Sequence, residues 1–321
     1  MESEINKALI VILLVLIPAG LLAHQFLHRS HPVIHWVAAL FAHIWQFQWR
    51  LILFATGAHW QLWEFAPSDM QLFGVPAVTL FGASLLLGML PRIFFTKLHP
   101  LVLIAVLLVL DLVLILAVFP LIFPATSLLW FGLVSLLVIV PSTLLAEWTV
   151  TVKRVYLRSL LQNISWGILL LWLFPSIIFK HSHDDSWQPF ISQLLERDLL
   201  NTIIYFLPMI VPIGLIVNAL YVFAKQGQGT GFPYDAPRYL VTTGVYRYIS
   251  NPMQLGIVMM MALWGWMLQS YLVALSAVVA LVLFLVFKNV CNGSCQLGIS
   301  DPEWKKYQEN TPKWLPFRFS L

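Results

Sequence analysis

GQGTGFPYDAPRYLVTTGVYRYISNPMQLG, residues 227–256, is the longest segment between two apolar blocks that combines turn residues, charge and aromatic hydroxyls. It opens with Gly227, Gly229, Thr230 and Gly231, where backbone lacking Cβ bends tightly or lies close against a ligand. Pro233 and Pro237 stiffen its middle. Asn251-Pro252 marks a turn, and Pro252 suits the first turn of the apolar helix that follows.

A membrane-spanning helix needs about 20 mostly apolar residues. Working outward from the loop, such blocks occur at about 6–27, 33–57, 72–90, 100–122, 126–147, 156–179, 201–224, 252–268 and 271–288. Gln46, Gln48 and Arg50 interrupt the second block. The last two are parted only at Gln269 and Ser270, which predicts a tight helical hairpin. Of 321 residues, 60% are hydrophobic and 10% charged, against about 25% charged in a soluble domain. The expected fold is all-α: a polytopic integral membrane bundle of about 8–9 transmembrane helices closed by the hairpin.

The net charge of +4 is not a nucleic-acid signal in such a chain. It is read loop by loop, because Lys and Arg set membrane orientation. With nine spans, 14 of the 18 basic residues fall on one side; Lys7, Lys180 and Arg197 fall on the other, and Arg50 lies within a span. The opposite loops carry Glu64, Asp69, Asp184, Asp185, Glu196 and Asp198. This predicts an N-terminus outside and a C-terminus in the cytoplasm, in a bacterial inner membrane or an ER-type membrane. The first block follows Glu2 and Glu4 rather than a basic stretch, and no small-residue cleavage site ends it, so it reads as a retained helix. The expected partners are the lipid bilayer and a lipophilic or lipid-modified substrate. Loop 227–256 and the C-terminal tail share the cytoplasmic face, and the hairpin between them lets them meet.

Gly227, Gly229, Thr230, Pro233, Asp235, Pro237, Leu240, Val241, Gly244, Tyr246, Asn251, Pro252 and Met253 stand in a fixed order. After the hairpin come Trp304, Tyr307 and then Thr311-Pro312-Lys313-Trp314-Leu315-Pro316. This pattern, over about residues 225–317, resembles the isoprenylcysteine carboxyl methyltransferase and phospholipid methyltransferase superfamily. The resemblance implies an S-adenosylmethionine pocket on the cytoplasmic side, wrapped by loop, hairpin and tail, with a lipophilic acceptor entering from the bilayer. Carried onto this chain, it implies cofactor contacts from Leu240, Val241, Thr242, Gly244, Tyr246, Tyr248, Ser250, Asn251, Pro252, Gln254 and Asn292. Arg247 and Asn251 are the implied catalytic residues, and Trp304, Tyr307 and Trp314 the implied substrate contacts. A sulfonium favours aromatic faces and acceptor oxygens, and methyl transfer asks for alignment more than acid–base groups. Three positions depart from the family. Ser250 stands where it has Arg, Gln254 replaces an aromatic, and Asn292 falls near its acidic pair. Arg247 and Glu303 are the replacements at hand.

On this reading residues 1–200 form an N-terminal transmembrane module and 201–321 the methyltransferase-like domain. The alternatives are a non-catalytic lipid- or nucleotide-binding descendant of the fold, and a metal, haem or nicotinamide-dependent membrane redox enzyme. The latter would draw on His24, His28, His31 and His35, but Pro32 interrupts that run and interfacial histidines are the plainer reading, so no metal is assigned. Cys291 and Cys295 are two thiols, too few for a zinc site. Asp111 is the carboxylate deep in an apolar span, and Arg50 is its natural partner.

Overall fold

Apolar length sets the elements. The computed structural model describes residues 9–28, 31–65, 70–117, 121–122, 128–182, 187–231, 237, 239–290 and 301–314. Among these, six helices are long and apolar enough to cross a membrane, and three shorter apolar helices stand at 100–116, 252–267 and 271–282. Each of the nine blocks read from the sequence contains a helix among the described residues. The fourth is shorter than expected: its helix stops at Ala117, and residues 121–122 are strand. The chain divides into two compact units, Met1–Lys153 and Arg154–Leu321. The motif-based division at 200/201 therefore falls inside the second unit.

The first unit contains α1 (Leu9–Leu27), α2 (Val33–His59), α3 (Ala77–Phe94), α4 (Pro100–Ala117) and α5 (Leu128–Val150). Helix α2 is its centre and packs on α3 and α5. Ala38 and Ala42 of α2 meet Ala146 of α5, and small residues let two helix backbones approach in a membrane. Two-residue strands close one end of the unit. They are β1 (Glu64–Phe65), β2 (Gln71–Leu72), β3 (Val75–Pro76) and β4 (Leu121–Ile122). β2 and β3 pair antiparallel, and β1 pairs antiparallel with β4, Glu64 opposite Ile122 and Phe65 opposite Leu121. Trp63 plugs the same end: its ring stacks on Phe131 with centroids 4.6 Å apart, and its indole N–H donates to the Phe54 carbonyl.

The polar residues that interrupt α2 are inside the unit. Arg50 Nη2 lies 2.9 Å from Asp111 Oδ1 of α4, both side chains fully buried. The contact is ionic; the guanidinium N–H is not directed at the oxygen. Ser135 of α5 donates to the other carboxylate oxygen at 2.7 Å. One turn back, Gln46 donates to the Leu87 carbonyl and to Ser142 Oγ. Leu87 lies in a π-helical stretch of α3, Ser84–Met89, whose looser winding leaves carbonyls for other donors. The second block is thus a span in which neighbouring helices supply a counter-ion for Arg50 and acceptors for the Gln46 amide nitrogen. His24 and His28 stack at 4.2 Å at the end of α1, and Pro32 starts a new helix after them. Among the described residues, no three His, Cys, Asp or Glu side chains gather as metal ligands.

The second unit holds α6 (Val155–Lys180), α7 (Gln188–Glu196), α8 (Leu199–Gly227), α9 (Pro252–Met267), α10 (Tyr271–Val290) and α11 (Asp301–Asn310). Asp198 caps α8 by accepting from the Asn201 N–H at 2.8 Å. Pro208 sits in a 3-10 turn that interrupts α8. Helices α9 and α10 form the expected hairpin. A Cβ on Gly265 would collide with the Ala274 backbone nitrogen, so glycine sets how closely these two helices pack. At that end Trp264 donates to the Leu171 carbonyl in a π-helical stretch of α6, and Tyr205 donates to the Met267 carbonyl.

Candidate functional site

The long loop leaves α8 through a π-helical turn, Phe223–Gly227, and Gln228 adopts a left-handed conformation at φ 52°. Thr230 is fully buried. The chain then returns onto α8. Val241, Tyr246 and Met253 join Ala219 and Val222 in one apolar cluster, flanked by Leu220, Phe223 and Val245. Thr243 Oγ1 donates to Gln226 Oε1 at 2.7 Å, which ties the loop's return to its exit.

A 3-10 turn, Gly244–Arg247, follows. Gly244 has φ +60°, and a Cβ there would lie 2.8 Å from Val222 Cγ2. Glycine is required both by the backbone conformation and by the closeness to α8. A 3-10 turn repeats every three residues. Tyr246 and Ile249 accordingly point inward, while Arg247 and Tyr248 face outward. Helix α9 then starts at Pro252, with Asn251 at its N-cap. Asn is a strong capping residue, yet the Asn251 side chain makes no cap hydrogen bond, so its amide is left for other partners.

The tail docks on this turn. The Tyr307 hydroxyl of α11 donates to the Tyr246 carbonyl at 2.6 Å, and the Ser250 N–H donates to the Pro312 carbonyl at 2.8 Å. Trp304 packs beside Tyr307 with ring centroids 5.7 Å apart. Burial pushes the Tyr307 phenol up to about 12, opposed by its hydrogen bond with Thr311. Burial raises Tyr246 too, reinforced by the neighbouring Tyr307. Both phenols are therefore protonated at neutral pH, and Tyr307 is a permanent donor.

The residues singled out in the sequence fall into two layers. Val241, Tyr246, Ser250, Pro252 and Tyr307 are buried and build the scaffold. Thr242, Gly244, Arg247 and Tyr248 are exposed, and Leu240, Asn251, Gln254, Trp304 and Trp314 are partly exposed along the rim. Asn292, Cys291 and Cys295 lie outside the described residues. Gln226 lies outside the residues that the sequence singles out, and Thr311 and Pro312 enter only as part of the tail pattern, with no role attached. Gln226 carries no motif signal, whereas Thr311-Pro312 was visible within the tail pattern.

Comparison with known proteins assigns this part of the chain. Residues 201–292 match the phospholipid methyltransferase family model, within the isoprenylcysteine/phospholipid methyltransferase superfamily. The match covers α8, the loop, α9 and α10. Neither a curated protein nor a solved structure matches the chain.

Proposed function

We propose that the second unit transfers a methyl group from S-adenosylmethionine to a lipophilic or membrane-partitioned acceptor at the cytoplasmic membrane face. The observation that carries this reading is the coincidence of the methyltransferase-family segment 201–292 with the loop, hairpin and docked tail. The cofactor, when bound, supplies an activated methyl on a positively charged sulfur. Tyr248 and Trp304 offer aromatic faces for such a centre. The uncapped Asn251 amide and the partly exposed Gln254 offer acceptors and donors for its polar groups. Tyr246 and Tyr307 hold that rim in place rather than touching the methyl. Arg247, exposed beside the turn, is the cation available to steer an acceptor's polar head. The distribution of basic loops supports a cytoplasmic site, with the N-terminus outside.

One observation favours a binding-only descendant. Ser250 is buried and its backbone is tied to the tail, so the position of the family's Arg presents no cation. Calorimetry with S-adenosylmethionine separates the outcomes. Micromolar binding, weakened about tenfold by Asn251→Ala and unchanged by Asp111→Asn, supports the methyltransferase site. An absence of binding by folded, helical protein refutes it. Binding without turnover across lipid and isoprenoid acceptors selects the second reading.

A further inference from the structure

We propose that Asn218 of α8 is a specificity-determining residue of the methyltransferase site, where its amide donates to the ester or amide carbonyl of an acyl-chain acceptor lipid. The inference rests on the methyltransferase reading and adds a class of acceptor to it.

Helix α8 presents one exposed face from its middle to its loop end. Gly214, Asn218, Tyr221 and Lys225 follow at helical spacing and are all exposed. Ile213 and Val217, also exposed, widen the face on the side of the middle of the span. Asn218 is the polar exception among them. Polar side chains in membrane helices normally turn to the bundle interior. Asn218 turns outward, and among the described residues its amide has no hydrogen-bond partner. One turn before it, a Cβ on Gly214 would meet nothing within 4 Å, so the surface there is open.

The same side chain borders the motif turn. Asn218 Oδ1 lies 3.2 Å from where a Cβ on Gly244 would stand. Gly244 is exposed too, so the two share an open surface and not a packed interior. With Oδ1 turned to Gly244, whose Cα hydrogens are weak donors, Nδ2 is the end left for a ligand, and it only donates. Its partner is therefore an acceptor oxygen. The cation on this face, Lys225, lies about 10 Å further along the helix. Its Nζ stands 5.4 Å from the Tyr221 ring centroid and donates to the Tyr221 hydroxyl at 3.4 Å. A charged head falls to Lys225, and a neutral oxygen to Asn218. An acyl lipid has its groups in this order: chain along Ile213, Gly214 and Val217, carbonyl at Asn218, head toward Lys225. An ether-linked or isoprenoid chain brings no carbonyl to Asn218.

Native mass spectrometry of the full-length protein with two lipids tests this. The probes are dioleoyl-phosphatidylethanolamine and its dioleyl ether analogue, which differ only in the two carbonyl oxygens. The wild type should bind the ester about fivefold more tightly than the ether. Asn218→Leu should bring that ratio to about one, while calorimetry shows its affinity for S-adenosylmethionine unchanged. Equal binding of both lipids by the wild type overturns the inference, and that result needs no variant to fold. An ester preference that persists in folded Asn218→Leu protein overturns it as well. In either case cofactor binding by the same protein leaves the methyltransferase reading standing. Wild-type protein that binds no S-adenosylmethionine removes that reading and this inference with it.

Discussion

Removing one oxygen atom from Tyr307 should loosen the tail from the loop. The Tyr307 hydroxyl donates to the Tyr246 carbonyl at 2.6 Å, and both residues are buried. Tyr307→Phe keeps the ring beside Trp304 and deletes only the donor. The Tyr246 carbonyl is then a buried acceptor without a partner, which costs about 1–3 kcal/mol. At about 1.4 kcal/mol per factor of ten, docking would weaken about 5- to 150-fold. The carbonyl adjoins the exposed Arg247 and Tyr248, so water can replace part of the lost bond. The low end, about 5- to 10-fold, is therefore expected. Amide hydrogen exchange reads this at one position. The Ser250 N–H bonds to the Pro312 carbonyl across the same junction, so its protection reports docking. Its exchange should accelerate by that factor while amides in the middle of α9 keep their rates. Unchanged protection of Ser250 in folded Tyr307→Phe protein would refute the claim that this hydroxyl holds the tail.

Alkali should act on the same junction. Tyr307 is raised from 10.0 to about 12 and Tyr246 is raised as well. Folding thus favours the protonated phenols, and their contribution is fully present below pH 10 and lost as pH rises through about 12. Ultraviolet titration should show slow-titrating tyrosines in that window, coincident with loss of Ser250 protection; tyrosines that all ionise near 10 would contradict this. In the first unit, Asp111→Leu or Arg50→Met should each destabilise by about 3–5 kcal/mol in thermal unfolding, and the double variant by much less. Additive losses would show that the two charges do not interact. Gly265→Val should cost about 1–3 kcal/mol by forcing α9 from α10, seen as a lower midpoint of thermal unfolding in micelles. An unchanged midpoint would show that the hairpin is not closely packed there.

The helices were legible because about 20 apolar residues in a row admit few other structures. Even Arg50 within the second block was readable once Asp111 was seen at comparable depth in another span. The short strands were not legible, since two-residue pairings such as Glu64–Ile122 leave no periodicity. Nor were the π-helical stretches, whose freed carbonyls find partners such as Gln46 and Trp264 from distant helices. At the candidate site the motif groups residues along the chain but carries no sign of their depth. Tyr246, read as a cofactor contact, is buried in the apolar cluster, and Tyr248 is the tyrosine on the rim. That difference follows from the 3-10 turn, which a residue pattern does not reveal.

The pairing of β1 with β4 has a consequence for how this chain can change length. Strands that pair lie on one face of the membrane, and α3 and α4 separate these two. An even number of crossings must therefore lie between them. The bond from Ser250 to Pro312 imposes the same parity on α9 and α10. Deleting α3 alone would carry β4 to the far face and break its pairing, whereas removing α3 and α4 together leaves both strands on one face. Between these ties, the fold can gain or lose helices only in couples.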